Sequence, residues 1–206
     1  MLAQGWARVL TLHFFENIYE GDLHPGNILV SSDDKFVLLD VGIVLEHSER
    51  DHVLISDILA AFIRREGRKA GRYMIEDSNT RLRGSGDKAV DEELFIDKIE
   101  KLTIEAATKG YLMERLGTYI TYICNSAAQH HVLLNQSFMS AALAIKVQEG
   151  IALALDPNVE IWRVATPIIL EGERRNGRAT IRAKELLGLD KMLDWVFGGT
   201  TKNERK

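Results

Sequence analysis

One cysteine, Cys124, stands in a chain of 206 residues. That excludes an internal disulfide and any cysteine-based zinc cluster, and makes a reducing compartment the natural home. Proline is scarce, with three residues, and glycine contributes sixteen, so collagen-like and Pro/Gly-rich disordered classes do not fit. There is no excess of basic charge. The net charge is −4 and the pI about 5.9, so no global field recruits nucleic acid. Long apolar runs are missing as well. The best candidate, residues 137–155, is interrupted by Lys146, Gln148 and Glu149, and no transmembrane segment is expected. What is present is globular composition, 46% hydrophobic and 27% charged, at the length of one ordinary domain able to build its own core.

The first fifteen residues carry Arg8 and no acid, a trait of mitochondrial presequences. Their apolar spacing serves a folded helix better: Leu2, Trp6, Val9, Leu10, His13, Phe14 and Ile18 predict a helix over 2–18. Ile28-Leu29-Val30 and Phe36-Val37-Leu38-Leu39 flank a polar turn, Ser31 to Lys35, and predict a β-hairpin, the one piece of β-structure expected. From about residue 47 the pattern is helical. Ser48 and Asp51 make a capping box for a helix that buries Val53, Leu54, Ile58, Leu59, Phe62 and Ile63 and stops near Gly67. Further helices are expected at 68–76, from Asp91 to Gly110, and at 112–130, 137–155, 159–170 and 179–197, with a polar loop over 78–93. Residues 1–198 read as one unit and 199–206 as a polar tail.

The chemistry concentrates in Gly21-Asp22-Leu23-His24-Pro25-Gly26-Asn27 and, after the hairpin, Asp40-Val41-Gly42. A hairpin between the two lets the chain leave the loop and return beside it, so Asn27 and Asp40 can face one point. Magnesium wants hard oxygen ligands, and a carboxylate with an amide oxygen suits it. A further carboxylate, Asp22, would orient an incoming hydroxyl or take its proton in phosphoryl transfer from ATP. The pattern D-x-x-x-x-N followed by D-x-G is that of the protein-kinase catalytic and metal-binding loops, here with Val41 in place of Phe. Pro25 fixes its own φ and biases His24 toward extended backbone, Gly26 completes the turn, and Gly42 permits a bend just beyond the carboxylate. His24 is read as a loop-holding residue. In a purely structural reading, Asp22 and Asn27 form turns and Asp40 ends a strand.

These residues resemble two related groups with kinase-like folds. One is the aarF-domain, UbiB-type atypical kinase family, whose loop reads D-L/M/P-H-P-G-N-I before a D-x-G. The other is the aminoglycoside phosphotransferase and choline kinase group, whose loop often reads H-G-D-L-H-P-G-N. Gly42-Ile43-Val44 leading into a helix over 51–65 is similar to the aarF family, as are Glu149-Gly150 and Leu155-Asp156-Pro157 within 138–157. The resemblance covers roughly residues 2–170, is diagnostic over 21–42, and points to the divergent mitochondrial branch.

That resemblance implies an α+β, mostly helical fold, the carboxy-terminal lobe of a protein-kinase-like architecture with one small hairpin beside the catalytic loop. It implies Asp22 as catalytic carboxylate, Asn27 and Asp40 as Mg²⁺ ligands, and ATP with Mg²⁺ as cofactors. It further implies a mitochondrial location, a link to ubiquinone biosynthesis or mitochondrial lipid homeostasis, and lipid or quinone-biosynthesis proteins as partners beside the nucleotide. Two departures matter. Glu20-Gly21 stands where the family commonly has His-Ala. The family's nucleotide-binding lobe, with its alanine-rich loop, strand lysine and K-x-G-Q segment, has no counterpart in these residues, so no nucleotide-binding residues are assigned and the stretch alone is expected to be inactive. The alternatives are a silent pseudokinase fragment that acts by binding, and a small-molecule phosphotransferase.

Other side chains read as structural. His130 and His131 are adjacent and point to different helix faces, a poor metal site. Cys124 fits a small buried position. Trp162 and Trp195 fit core or interface anchors, and Glu149 fits a pair with Lys146 or an arginine. The run Arg64, Arg65, Arg68, Lys69 fits a solvated helix end rather than a lipid or phosphate site.

Overall fold

The computed structural model describes residues 2–20, 25–32, 35–39, 44–83, 91–108, 116–155 and 161–180. Helix α1, Leu2–Phe15, ends earlier than the apolar spacing predicts. Asn17 adopts φ 55, the left-handed region that asparagine tolerates, and this breaks the helix before Ile18. Residues Ile18–Glu20 then form strand β1. A 3₁₀ turn, Pro25–Asn27, leads into β2, Ile28–Val30, which pairs antiparallel with β3, Phe36–Leu38, in the register Ile28↔Leu38, Leu29↔Val37, Val30↔Phe36. This is the expected hairpin. A second sheet corrects the expectation of a single one: β1 pairs antiparallel with β4, Val44–Glu46.

Helix α2, Glu49–Ile63, begins as predicted, the Asp51 N–H donating to Ser48 Oγ at 3.2 Å. Helix α3, Gly67–Arg81, runs beyond the expected end at 76. Its last turn is held from outside the helix by Asn79 donating to Glu92 at 2.9 Å. Then follow α4, Glu92–Thr108; α5, Leu116–Gln129; α6, Gln136–Leu155; and α7, Ile161–Asn176, which also outlasts its expected end at 170. The helix expected over 179–197 lies outside the described residues from 181 onward, as do Trp195 and the 199–206 tail.

Helix α2 is the centre of the bundle. It touches α3, α6 and α7, and its residues from Leu54 to Ala61 are all buried. Helices α3 and α4 approach closely because glycine faces the contact. A Cβ on Gly67 would stand 2.7 Å from the Glu100 Cα and 2.6 Å from Thr103 Oγ1. Arg68 closes the same contact by pairing with Glu93, Asp97 and Glu100, carboxylates on successive turns of α4. Three residues of the basic run are therefore engaged by acids: Arg68 as above, Arg64 in a two-pronged pair with Glu173 of α7, and Lys69 with Glu66, while Arg65 is exposed.

A second polar centre joins α2, α3 and the start of α6. Asp77 accepts from Arg50 at 3.0 Å, Arg81 at 2.7 Å and Asn135 at 3.2 Å, while Asp51 accepts from Arg81, Asn135 and Ser137. Asn135 in turn caps α6, its Oδ1 accepting the Phe138 N–H at 3.0 Å. By length and composition α6 is apolar enough to cross a membrane, although the sequence reading discounts it; 39% of that stretch is buried inside the bundle.

Candidate functional site

The two small sheets bracket the two motif segments. On one side β2 and β3 are zipped to their base, where the Leu39 N–H donates to the Asn27 carbonyl at 2.9 Å. Asn27 is the last residue of the first motif, and Leu39 immediately precedes Asp40. On the other side, Glu20 pairs with Val44. Glu20 immediately precedes the 21–27 loop, and Val44 follows the Asp40 segment closely. The flanks of both segments are thus paired at both ends. Asp22, His24, Asp40 and Gly42 lie outside the described residues, as does the side chain of Pro25. Gly26 is exposed and Asn27 half-buried. The Asn27 main-chain carbonyl accepts from Leu39, and its side-chain amide supplies a further oxygen of the type a hard cation takes.

Several apolar side chains on and beside the sheets face outward. Ile18, Leu29, Val37, Leu39, Val44 and Leu45 are all exposed, and Leu29 and Val37 stand directly opposite each other across the hairpin. Among the strand residues whose side chains are described, Tyr19 and Ile28 turn into the core.

Beneath β1 lies a group of rings that the sequence reading missed. Tyr19 is 1% exposed; its ring stacks on His13 at 4.6 Å and meets His47 at 4.5 Å with a 56° tilt. Asn17 ties the same layer together, donating from Nδ2 to the His47 carbonyl at 2.6 Å. Among the described residues, both ring nitrogens of His13, the Tyr19 hydroxyl, Nε2 of His47 and Nε2 of His52 are buried without a hydrogen-bond partner. Burial, with His47 close by, pushes His13 down from 6.5 to about 4. Burial also lowers His47, against the pull of Asp51, and lowers His52. The Tyr19 phenol is pushed well above its ordinary range by burial. His13, Tyr19, His47 and His52 come from α1, β1, the β4–α2 junction and α2. No sequence spacing announces such a group.

Other concave and reactive features are structural. A cleft of about 510 Å³ is lined by Glu49, Arg50, Glu76, Asp77 and Arg178. Its arginines are committed to Asp77 and Glu76. An apolar cavity of about 50 Å³, bounded by Phe62, Ile123, Phe138 and Ile169, has no polar group to orient a ligand. His130 is buried edge-on against Phe95 while His131 is exposed, as their adjacency predicts. Cys124 is half-buried. Among the described residues no cluster of His, Cys, Asp or Glu has the shape of a metal site.

Residues 2–74 match the ABC1 atypical kinase-like domain family. The chain is 28% identical over 173 residues to a mitochondrial ABC1 family protein of Saccharomyces cerevisiae, covering 82% of this chain and 25% of that protein. It is 27% identical over 135 residues to a mitochondrial ABC1 family protein of Schizosaccharomyces pombe, covering 65% of this chain and 19% of that protein. It is 24% identical over 196 residues to the probable protein kinase UbiB of Xanthomonas oryzae, covering 88% of this chain and 33% of that protein. The chain therefore spans between about a fifth and a third of the length of these relatives. No solved structure matches it.

Proposed function

We propose that this chain, whose residues 2–74 match the ABC1 atypical kinase-like domain, is a member of that aarF/UbiB-type family and the metal- and phosphate-facing part of an ATP- and Mg²⁺-dependent kinase or ATPase module. Residues 1–198 form that part and 199–206 its tail. The observation that carries the reading is the double bracketing of the motif segments: the Leu39 N–H on Asn27, and the Glu20–Val44 pairing.

The donor set fits the ion. Asn27 and Asp40 supply oxygen ligands, the type a hard divalent cation takes. Asp22, five positions before Asn27, orients the acceptor hydroxyl or water and accepts its proton. Pro25 stiffens the loop between them. When bound, Mg²⁺ with ATP supplies charge neutralisation for the phosphates. The exposed apolar chains on both sheets suit a surface that a nucleotide base or another part of a longer protein covers. Two relatives are named mitochondrial, which supports a mitochondrial location; a role tied to ubiquinone biosynthesis or mitochondrial lipid homeostasis is part of the same proposal.

The test is Mn²⁺-induced broadening of the Asn27 side-chain amide in an NMR spectrum of residues 1–206, with calorimetry of Mg·ATP alongside. Broadening is expected in the wild type and is abolished in Asp40→Ala; unchanged broadening in that variant removes the ligand assignment. This stretch by itself is expected to bind ATP more weakly than micromolar and to turn over negligibly.

A further inference from the structure

We propose that Tyr19, flanked by His13 and His47, is the positioning residue of the candidate site, and that proton uptake by either imidazole releases β1 from β4. This rests on the reading above only for what the strands hold, not for how they are held. Tyr19 lies at the middle of β1, opposite Leu45 of β4, with Glu20–Val44 on the loop side and Ile18–Glu46 on the other. His47 follows β4 directly and is fastened to the α1–β1 corner through Asn17. His13 projects from the last turn of α1 and lies flat on the Tyr19 ring. Three separate pieces of chain therefore converge on one phenol ring, and two of them flank the motif segments.

The rings are joined by packing alone. In a buried layer of this kind, polar atoms normally find partners, and orphaned ones mark either strain or a switching role. Here the His13 nitrogens and the Tyr19 hydroxyl have none. Stacking tolerates a neutral imidazole, whereas an imidazolium in a buried layer demands a counter-charge or water. The titratable and charged groups around the stack give it little. Helix α1 offers His13 itself, the α1–β1 corner the exposed Glu16, and β1 Tyr19 and, at its loop end, Glu20, whose side chain lies outside the described residues. The β4–α2 junction offers Glu46, exposed on the strand, and His47. Helix α2 offers Asp51, which acts on His47 but is engaged by Arg81, Asn135 and Ser137, and His52, itself partnerless at Nε2. Helix α6, which contacts β1, buries the neutral Gln148, and carries Lys146 exposed and Glu149 half-buried. Helix α7, packed on α1, places its acids Glu171 and Glu173 on arginines.

The direction of the effect follows. The closed form binds a proton at His13 more weakly than a free imidazole does, so the open form takes protons up first. The contribution of the neutral imidazole to closure is fully present above 6.5 and falls away as pH drops toward about 4. Helices α3 and α4 meet through Gly67 and the Arg68 ion pairs, with no imidazole between them (His130 lies edge-on to Phe95 from the end of α5), and keep their contacts over that interval.

The experiment is hydrogen exchange of residues 1–206, expressed as protection relative to the intrinsic rate, between pH 7.5 and 4.5. Protection over 18–20 and 44–47 is expected to fall about tenfold per pH unit for each proton taken up, while 67–81 and 92–108 hold. His13→Phe keeps a flat ring on Tyr19 but cannot charge, and is expected to remove one proton's worth of that slope. His47→Gln is expected to do the same where His13→Phe does not fold. In the wild type, the His13 Cε1 NMR signal is expected to titrate over the interval in which the strands open. The proposal is overturned if a folded variant keeps the wild-type slope, if the helices lose protection in step with the strands, or if the imidazole signals stay unmoved while the strands open. Mn²⁺ relaxation on the same samples separates the two readings. Strands that open as described around a chain that binds no ion at any pH sink the divalent-site reading alone. Higher ion affinity at pH 5 in His13→Phe than in the wild type supports both. Equal affinity in a variant whose strands stay closed sinks the positioning role.

Discussion

Asp77 and Tyr19 are both almost fully buried, yet the carboxylate is ringed by Arg50, Arg81 and Asn135 while the phenol hydroxyl meets no donor or acceptor. The contrast extends to their surroundings. In the bundle around α2, α3 and α4, buried polar groups such as Asp77 and Thr103 are hydrogen-bonded and glycine lets helices meet backbone to backbone. Around β1–β4 the arrangement is inverted: Ile18, Leu29, Val37, Leu39, Val44 and Leu45 face outward, and partnerless imidazole and phenol groups face inward. The bundle has its own exception, Ser56 of α2, buried without a partner, but its charged centres are satisfied. His13, Tyr19 and His47, by contrast, gather under β1 with ring nitrogens or hydroxyl unpaired among the described residues, and that difference divides scaffold from working part. Local opening is cheapest where hydrogen bonds are few and apolar contact is exposed, and binding segments are drawn from that end.

The sharpest way to break this comparison is to remove a satisfied group from the bundle. Asp77→Ala strips the acceptor from two arginines and Asn135, and is expected to cost about 3 kcal/mol in urea denaturation. A loss under about 1 kcal/mol would mean that the polar centre contributes little and that the two regions do not differ as described. Next comes the helix contact. Gly67→Ala pushes a methyl group to within 2.7 Å of the Glu100 backbone, where no rotamer change can relieve it, and is expected to cost about 2 kcal/mol. Wild-type stability in that variant would show that α3 and α4 can slide apart at no expense.

The bundle was readable from the sequence because its signals are local. Ser48 and Asp51 announce α2, and apolar spacing marks α4 and α6. The hairpin was readable too, since a five-residue polar turn joins two short apolar runs, and it carried the inference that the motif segments meet. What escaped notice depends on distant partners. Strands β1 and β4 are three residues each, too short for alternation to register, and their partners lie 28 residues apart at Ile18 and Glu46. Ile18 continues the helical spacing of α1, and only Asn17 hints at the break. The ends of α3 and α7 look like loop because they are polar, and they stay helical through bonds such as Asn79–Glu92 and Arg64–Glu173. Arg68 reads as a solvated helix end until α4 brings three carboxylates to it. Of the site itself, motif order and spacing were legible and the bracketing pairs are consistent with them; the ring layer below was not, since it assembles from positions 13, 19, 47 and 52.

The smallest expected effect is also the most discriminating. A tyrosine whose hydroxyl is hydrogen-bonded loses about 1 kcal/mol on conversion to phenylalanine, because a partner is stranded. Tyr19→Phe keeps the ring that stacks on His13 and meets His47, and deletes an oxygen that is buried without a partner. The bond lost is none, and the desolvation penalty of the hydroxyl disappears with it. Stability at pH 7.5 is therefore expected to stay level or to rise by up to about 1 kcal/mol, the reverse in sign of Asp77→Ala for a residue equally deep. A loss of about 1 kcal/mol or more would place an internal water or a polar group on that hydroxyl, and the region around β1 would then be as well satisfied as the bundle it was set against.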